Sequence, residues 1–307
     1  MSWARFVAGA VGVGAVAVAG AALEARSYRV VRHELTLPRD SGPSDGAPAA
    51  HLRILHVSDM HYLKGQRSKA RFIASLADQR PDLVVATGDL LADDAGFDEL
   101  MDAMRGLLGV PGVFVFGSND LYGPTQANPL VYLVRRPGSA RPRGRPLQWR
   151  RVCDALMAAG WADLNNSRTR LVVSGLTIEL RGSADAHIGL DDYGAAAPVA
   201  GGAEPPDLLM GVTHAPYRRV LDAMTRDRAS LMLAGHTHGG QICAPWGAIV
   251  SNCDLPPAFA KGLHAYPPPP AAPLSRVHVT AGVGASPTFP LRLFCRPEAC
   301  LLEVTVE

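Results

Sequence analysis

Gly235-His236-Thr237-His238-Gly239-Gly240-Gln241 is the stretch of sequence around which the rest of the chain can be arranged. It carries two imidazoles at positions i and i+2, framed by glycines, directly after the short apolar run Leu231 to Ala234. A buried strand that ends in two histidines suits a metal site better than a hydrophobic core, because neutral imidazole is a common metal ligand. The glycines would let the backbone turn tightly beside an ion.

Four other short apolar runs also end in polar side chains. Leu52 to Ser58 precedes Asp59 and His61, Leu83 to Thr87 precedes Asp89, Gly112 to Phe116 precedes Asn119, and Asp207 to Thr213 precedes His214. Helical patterns over Ser68 to Gln79 and Phe97 to Leu108 separate the first three runs. This alternation of strands and helices predicts parallel pairing, with the functional loops at the carboxyl ends of the strands. The polar side chains are therefore expected to meet at one edge.

The size and chemistry of this set indicate how many metal ions it binds. The candidate ligands are Asp59, His61, Asp89, Asn119, His214, His236 and His238. Carboxylate, amide and imidazole donors in this number exceed the needs of one tetrahedral zinc ion and match a pair of divalent ions, Mn, Fe or Zn. A carboxylate such as Asp89 can bridge two metals about 3.5 to 4 Å apart, with a shared hydroxide as nucleophile. This chemistry suits phosphoryl esters.

Composition narrows the class of protein. The 307 residues are 48% apolar and 19% charged, which is enough for one large domain or two small ones with a proper core. A formal net charge of +2 gives no reason to expect a nucleic acid as partner, and a monomer is expected. Five cysteines without a CxxC pair indicate buried thiols, not a disulfide framework or a zinc ribbon.

The N-terminus contains a long apolar run from Phe6 to Leu23. Its 18 uncharged residues would form a helix of about 27 Å, which is enough to span the hydrocarbon of a bilayer. We predict an N-terminal membrane anchor over residues 1–27 and a catalytic domain over residues 28–307. A cleaved signal peptide is the alternative, because Arg5 precedes the run and Ala19-Gly20-Ala21 offers a small-residue cleavage site.

A basic insertion at about residues 124–151 interrupts the alternation of strands and helices. It has no acidic residue and seven arginines: Arg135, Arg136, Arg141, Arg143, Arg145, Arg150 and Arg151. Two interpretations stay open, a solvated loop or a surface that binds anionic lipid. In the second, each basic residue contributes about 1 kcal/mol to membrane association.

Beyond the insertion, Leu171 to Val173 and Leu176 to Leu180 form a predicted hairpin. The pattern as a whole predicts an α/β protein with two layers of sheet flanked by helices.

These motifs, in this order, resemble the calcineurin-like metallophosphoesterase superfamily over about residues 52–305. The order is Asp-x-His, Gly-Asp, Gly-Ser-Asn-Asp, His and Gly-His-Thr-His. The variant Gly-His-Thr-His-Gly-Gly-Gln, with the tail Leu291 to Glu298, is similar to a membrane-associated bacterial phosphodiesterase branch whose members often carry an anchor or export signal. The resemblance implies a four-layered α/β/β/α sandwich at the cell membrane, with the catalytic domain outside the cytoplasm.

The resemblance also implies a division of the ligands. One metal would be held by Asp59, His61 and His238 and the other by Asn119, His214 and His236, with Asp89 bridging. One motif departs from the family, which usually has Gly-Asn-His followed by Asp or Glu where this chain has Gly117-Ser118-Asn119-Asp120. Asn119 is expected to remain a ligand, with Asp120 in the place of the histidine as a catalytic acid. Ser118 or Asp120 as ligand is the alternative.

Three further expectations complete the prediction. His187 lies in a loop that could overhang the site and touch substrate. The remaining histidines are predicted to be ordinary core or surface groups: His33, His51, His56, His264 and His278. Two functions fit the sequence, namely a phosphoesterase that hydrolyses a phosphodiester or pyrophosphate bond of a lipid or cell-envelope substrate, and a catalytically degenerate, metal-containing protein that binds a phosphorylated envelope component.

Overall fold

A computed structural model describes residues 16–40, 49–125, 143–196, 204–267 and 274–307. Residues 1–15 of the predicted anchor, and Arg135, Arg136 and Arg141 of the basic insertion, lie outside these ranges. Residues 16–24 are helical. Among the described residues, no helix combines the length and the apolar character needed to cross a bilayer. The predicted domain boundary at residue 27 stays a prediction.

The strands form two six-stranded sheets and one small ribbon. In chain order they are β1 (Arg29–Leu37), β2 (Ala50–Val57), β3 (Leu83–Ala86), β4 (Gly112–Phe114), β5 (Ala162–Asp163), β6 (Arg168–Val173), β7 (Leu176–Ser183), β8 (Leu208–Thr213), β9 (Leu231–Ala234), β10 (Cys243–Ala244), β11 (Gly247–Ala248), β12 (Gly262–Tyr266), β13 (Ser275–Val279) and β14 (Glu298–Val306). The first sheet has the order β1-β14-β2-β3-β4-β5, and the second has the order β12-β13-β9-β8-β7-β6. The neighbours β2 to β5 pair in parallel, as do β7, β8, β9 and β13.

Helices cover the outer face of each sheet. They are α1 (Arg67–Ser75), α2 (Phe97–Leu108), α3 (Ser118–Leu121), α4 (Trp149–Ala158) and α5 (Arg218–Arg226). The helices predicted at α1 and α2 and the hairpin of β6 and β7 are confirmed. The sequence pattern did not predict α5 or the short strands β5 and β12.

Alternation along the strands separates the core into layers. On β2, Leu52 and Ile54 pack against the second sheet, whereas Leu55 and Val57 pack against helices α1, α2 and α4. This is the period of two that a strand buried on both faces requires. The outer face of the second sheet packs against α5, for example through Val220. The chain is therefore an α/β/β/α sandwich, as the sequence predicted.

In each sheet, the loops that follow neighbouring parallel strands contact one another. The backbone N–H of Asp59, after β2, donates to the carbonyl of Gly88, after β3, at 2.8 Å. In the second sheet, Gly235 N, after β9, donates to His214 O, after β8, at 2.9 Å. Because parallel strands carry their carboxyl ends at the same edge, the polar side chains that follow them are gathered at one place.

Candidate metal centre

Five of the predicted ligands have left-handed backbone conformations directly after strands. They are Asp59 (φ 49°), His61 (φ 40°), Asp89 (φ 54°), His236 (φ 69°) and His238 (φ 51°). Residues other than glycine seldom adopt this conformation, and such strain persists only where the surrounding structure enforces it. The concentration of strained residues at one sheet edge is typical of a functional site.

The first close group consists of Asp59, His61 and His238. Their ligand atoms all lie within 4.8 Å of one another. His61 Nε2 is 3.1 Å from His238 Nε2, and His238 Nε2 is 3.5 Å from Asp59 Oδ1. One strand end of the first sheet and one of the second thus contribute to a single cluster of two imidazoles and a carboxylate, which is a suitable ligand set for a divalent ion.

The second close group consists of Asp59, Asp89 and His214, again within 4.8 Å. His214 Nδ1 donates to the carbonyl of Thr87 at 2.6 Å, so the other ring nitrogen faces the carboxylates. Asp89 Oδ2 is 3.6 Å from His214 Nε2 and 3.5 Å from His61 Nε2. Asp89 therefore lies between the two groups, and Asp59 belongs to both.

Buried atoms without partners show that these residues fit cations. Asp59 Oδ1 and His214 Nε2 are buried and have no hydrogen-bond partner among the described residues. Leaving a buried polar atom unsatisfied is costly, and ligation of an ion removes that cost. A pair of divalent ions is consequently the occupant that this donor set suits.

The charges at the centre lead to the same conclusion. Burial alone would lower the pKa of His214, but the carboxylates of Asp89, Asp185 and Asp59 raise it to about 9. Burial raises the pKa of Asp89 to about 6 and lowers the pKa of His61 well below its usual value. Carboxylates crowded in this way need positive charge nearby, and a divalent ion can replace the protons that would otherwise supply it.

Asn119 and His236 lie next to the two groups. The Asn119 side chain donates from Nδ2 to Asp89 Oδ2 at 2.6 Å, and its backbone N–H donates to Asp89 Oδ1 at 2.8 Å. The backbone N–H of His236 donates to Asp59 Oδ2 at 2.9 Å, and its ring centroid is 5.1 Å from that of His214. Both residues thus hold the ligand carboxylates, and their own ligation of metal stays a prediction.

The side chain of Asp120 is buried and accepts hydrogen bonds from four backbone N–H groups. Its two oxygens accept backbone N–H groups from Asp89 (2.6 Å), Leu90 (2.7 Å), Leu91 (3.1 Å) and Gly117 (3.0 Å). The residue is buried, and burial together with the Asp89 carboxylate raises its pKa to about 7. Because both oxygens already bind backbone, the side chain fastens the loop after β3 to the start of α3.

His187 lies beside His236, and its contact with substrate stays a prediction. Its ring centroid is 4.3 Å from that of His236, and its Nδ1 is 3.0 Å from the Tyr217 hydroxyl. The backbone N–H of His187 donates to Asp185 Oδ1 at 2.7 Å. Asp185 is buried and was not predicted, although Asp-Ala-His was visible in the sequence.

Arg292 is a second residue near the centre that was not predicted. Its guanidinium is fully buried and donates to Ala281 O at 2.6 Å and to the carbonyls of His238 and Cys295 at 3.2 Å. It also lies 3.5 Å from His238 Nδ1. The available signal was the position of Arg292 between apolar residues, in Leu291 to Phe294. An arginine in such a segment is buried only where other groups pair with it, so its presence there indicates specific partners. Arg292 holds the loop that presents His238.

The fold and this ligand set define an α/β/β/α hydrolase scaffold with a dinuclear divalent-metal site. A family model described as calcineurin-like phosphoesterase matches residues 52–240, which is more than half of the chain. The chain belongs to the calcineurin-like phosphoesterase family and is a phosphoester hydrolase.

Individual relatives agree with the family. The chain is 27% identical over 285 residues to "Phosphodiesterase YaeI" of Escherichia coli (strain K12), which covers 90% of this chain and 88% of the relative. It is 23% identical over 263 residues to "Uncharacterized metallophosphoesterase YkuE" of Bacillus subtilis (strain 168), which covers 83% of this chain and 77% of the relative. The solved structure of TT1561 from Thermus thermophilus covers 75% of this chain and 89% of its own at 14% identity, with a TM-score of 0.39.

A substitution at Gly235 tests whether the close contact between the loop after β9 and Asp59, after β2, controls metal binding. A Cβ at Gly235 would lie 2.6 Å from Asp59 Oδ2 and still closer to Ser58 Oγ. Gly235→Ala should therefore displace Asp59 and weaken metal affinity by about 10- to 100-fold. Isothermal titration with Mn²⁺ measures the effect. Gly109→Ala, at a helix end with open space around it, is the control, and equal affinities in the two variants would contradict the assignment.

Proposed function

We propose that the protein hydrolyses a phosphodiester or pyrophosphate bond at this centre. The observation that carries the proposal is the position of Asp89 Oδ2, between His61 Nε2 at 3.5 Å and His214 Nε2 at 3.6 Å. Asp59, His61 and His238 would hold one divalent ion, and Asn119, His214 and His236 the other, with Asp89 shared. When bound, such ions supply a nucleophile from water at neutral pH and neutralise charge on the phosphoryl group.

The chain's own residues then position the substrate and transfer protons. His187, held by the Tyr217 hydroxyl and close to the ring of His236, is the side chain placed to protonate the leaving oxygen. Asp120 acts as a positioning residue, because its carboxylate binds the backbone N–H of Asp89 and of Gly117. This division of roles is an alternative to the acid role that the sequence predicts for Asp120.

The preference for a diester is supported by the similarity to "Phosphodiesterase YaeI" of Escherichia coli. The centre by itself suits any phosphoester, because metal ligands contact the phosphoryl group and not the organic part of the substrate. Direct measurement of hydrolysis can therefore distinguish a diester from other phosphoesters.

A lipid or cell-envelope substrate, and membership of the membrane-associated branch, are supported by the N-terminal helical segment. In residues 16–24, Val16, Val18 and Leu23 are exposed, which is unusual for large apolar side chains grouped on one helix. The end of this segment binds the catalytic domain. Glu24 accepts the backbone N–H of Phe294 at 3.0 Å and of Cys295 at 2.6 Å.

This docking supports a centre close to a membrane surface. Arg292, whose side chain holds the His238 loop, also donates its backbone N–H to Ala21 O at 3.1 Å. Beside the same tail, the ribbon of β10 and β11 carries Trp246, whose exposed fraction is 88%. An apolar rim and a docked anchor would hold the centre at the cell membrane, and we propose an extracytoplasmic face.

The basic insertion adds little support. In its described part, Arg145 forms ion pairs with Asp93 and Asp94 at 2.7 and 2.8 Å, and Arg151 forms one with Asp98 at 2.7 Å. Arginines paired within the domain are less able to bind anionic lipid. The proposal for a lipid substrate therefore rests on apolar contacts and not on charge.

The first test is metal-dependent hydrolysis. The full chain with Mn²⁺ should release nitrophenol from bis(4-nitrophenyl) phosphate, and His238→Ala should reduce the rate to the metal-free background because one ligand group is lost. The exposed His51→Ala is the matched control. Metal binding by the wild type without any hydrolysis would support the degenerate binding protein instead.

The second test separates the roles of His187 and Asp120. His187→Ala should slow hydrolysis of diesters with poor leaving groups by about 10²- to 10⁴-fold more than that of activated diesters, because a proton donor matters most for a poor leaving group. Asp120→Asn should slow both by the same factor, since that residue acts through the loop. Leaving-group dependence of kcat measures this, and a selective effect of Asp120→Asn would restore its acid role.

The third test concerns the membrane. A phosphodiester headgroup presented in lipid vesicles should be hydrolysed with a lower KM than a short-chain soluble analogue. Trp246→Ser should raise the vesicle KM by about tenfold, since burial of a large apolar side chain is worth about 1.5–3 kcal/mol. Val172→Ser, which changes another exposed apolar side chain on β6, is the control, and identical KM values for both substrates would contradict the lipid proposal.

A further inference from the structure

Polar side chains interrupt the apolar layer between the two sheets at one place. They come from four strands, β1, β2, β13 and β14, and they are His33, His56, His278 and Cys300. His56, His278 and Cys300 are fully buried, and His33 is half-buried at the edge strand β1. Taken one at a time in the sequence, these histidines were predicted to be ordinary core or surface groups.

Strand alternation directs all four side chains into the same layer. On β14, Cys300 shares its face with Leu302 and Val304, which pack between the sheets. On β13, Val277 and Val279 belong to the outer core, so His278 points the opposite way, toward the first sheet. The cluster therefore joins the two sheets and is separate from the candidate metal centre.

Three members of the cluster have metal-ligand spacing. The ligand atoms of His33, His278 and Cys300 all lie within 4.8 Å of one another. The ring centroids of His33 and His278 are 5.0 Å apart. Cys300 otherwise contacts the hydroxyl of Thr280, at 3.6 Å, which is a weak hydrogen bond for a thiol.

The fourth member, His56, determines which nitrogen of His278 is available. His56 Nε2 is 2.9 Å from Thr87 Oγ1, and His56 Nδ1 is 2.8 Å from His278 Nδ1. If His56 donates to Thr87, its Nδ1 accepts the proton of His278 Nδ1. His278 Nε2 then carries a lone pair, and this atom is buried without a hydrogen-bond partner among the described residues.

His278 and His56 are arranged like a metal-binding histidine and the acceptor to which its second ring nitrogen donates a hydrogen bond. Metal-bound histidines commonly donate the other ring N–H to a neighbouring acceptor, which fixes the tautomer and orients the ring. Here His56 is that acceptor, and Thr87 in turn fixes His56.

We propose that His33, His278 and Cys300 bind a third metal ion, of the zinc class, between the two sheets. Two imidazoles and a thiolate are ligands that Zn²⁺ prefers over the harder Mn²⁺. Binding forms a metal–sulfur bond as the Cys300 thiol releases its proton to solvent, and the partly exposed side of His33 leaves a fourth position for water. The ion would cross-link β1 and β14 to β13.

The third ion would also be linked to the catalytic centre. Thr87 contacts His56 through its hydroxyl and accepts a hydrogen bond from His214 Nδ1 at its carbonyl, at 2.6 Å. An ion that orders His278 and His56 would thereby fix the strand end from which His214 is oriented. Its role is structural, and it is distinct from hydrolysis.

Cobalt substitution of the full chain tests the proposal. Among the described residues, no thiol belongs to the ligand groups of the catalytic centre, so a thiolate-to-cobalt charge-transfer band in the near ultraviolet reports only the third site. The wild type saturated with Co²⁺ should show the band. Cys300→Ser and His33→Ala should each lose the band and one equivalent of zinc, as measured by mass spectrometry of the metal content.

Matched controls separate a lost ligand from a lost fold. Cys153→Ser and His51→Ala, which change the same residue types elsewhere, should keep the band and the zinc. His33→Ala, at the half-buried edge, should retain the far-ultraviolet circular dichroism spectrum and the cooperative thermal unfolding of the wild type, which shows that it is folded. The proposal is overturned if the wild type shows no band, or if the band survives in either ligand variant.

Discussion

The buried carboxylate of Asp59 is the constraint on which the rest of the centre depends. Its Oδ2 accepts the backbone N–H of His236 at 2.9 Å, while its Oδ1 has no hydrogen-bond partner in the described part of the chain and lies 3.5 Å from His238 Nε2. Asp59 also belongs to both close groups of ligand atoms. One residue from the first sheet thus fixes the loop of the second and still offers an oxygen to a cation. A fully buried anion of this kind is stable only with positive charge beside it.

The loops around Asp59 are strained, and buried polar groups hold them. Asp120 fastens the loop after β3 through four backbone N–H groups, and Arg292 fastens the His238 loop through backbone carbonyls. These two residues are opposite in charge and similar in function. Each stabilises a strained left-handed backbone conformation and thereby fixes the position of a ligand.

The candidate ligands could be predicted from the sequence because their signal is local. A short apolar run followed by Asp59 or by His236 can be read without knowledge of the partner strand, since parallel strands carry their carboxyl ends to one edge. Arg292 and Asp185 were missed because neither follows an apolar run that ends at the sheet edge, so their signals in the sequence were weaker. The backbone contacts of Asp120 could not be predicted either, because they depend on which N–H groups the folded chain brings to its side chain.

The sequence by itself determined the two layers of sheet flanked by helices, most of the strands, and the polar residues that follow them at the sheet edge. Only the tertiary structure decided that Asp59 belongs to both ligand groups, and that His33, His56, His278 and Cys300 share one layer. The physical reason is the separation in sequence over which each kind of information acts. Periodicity reports the face on which a side chain lies, whereas the register between strands distant in sequence decides which side chains on that face meet.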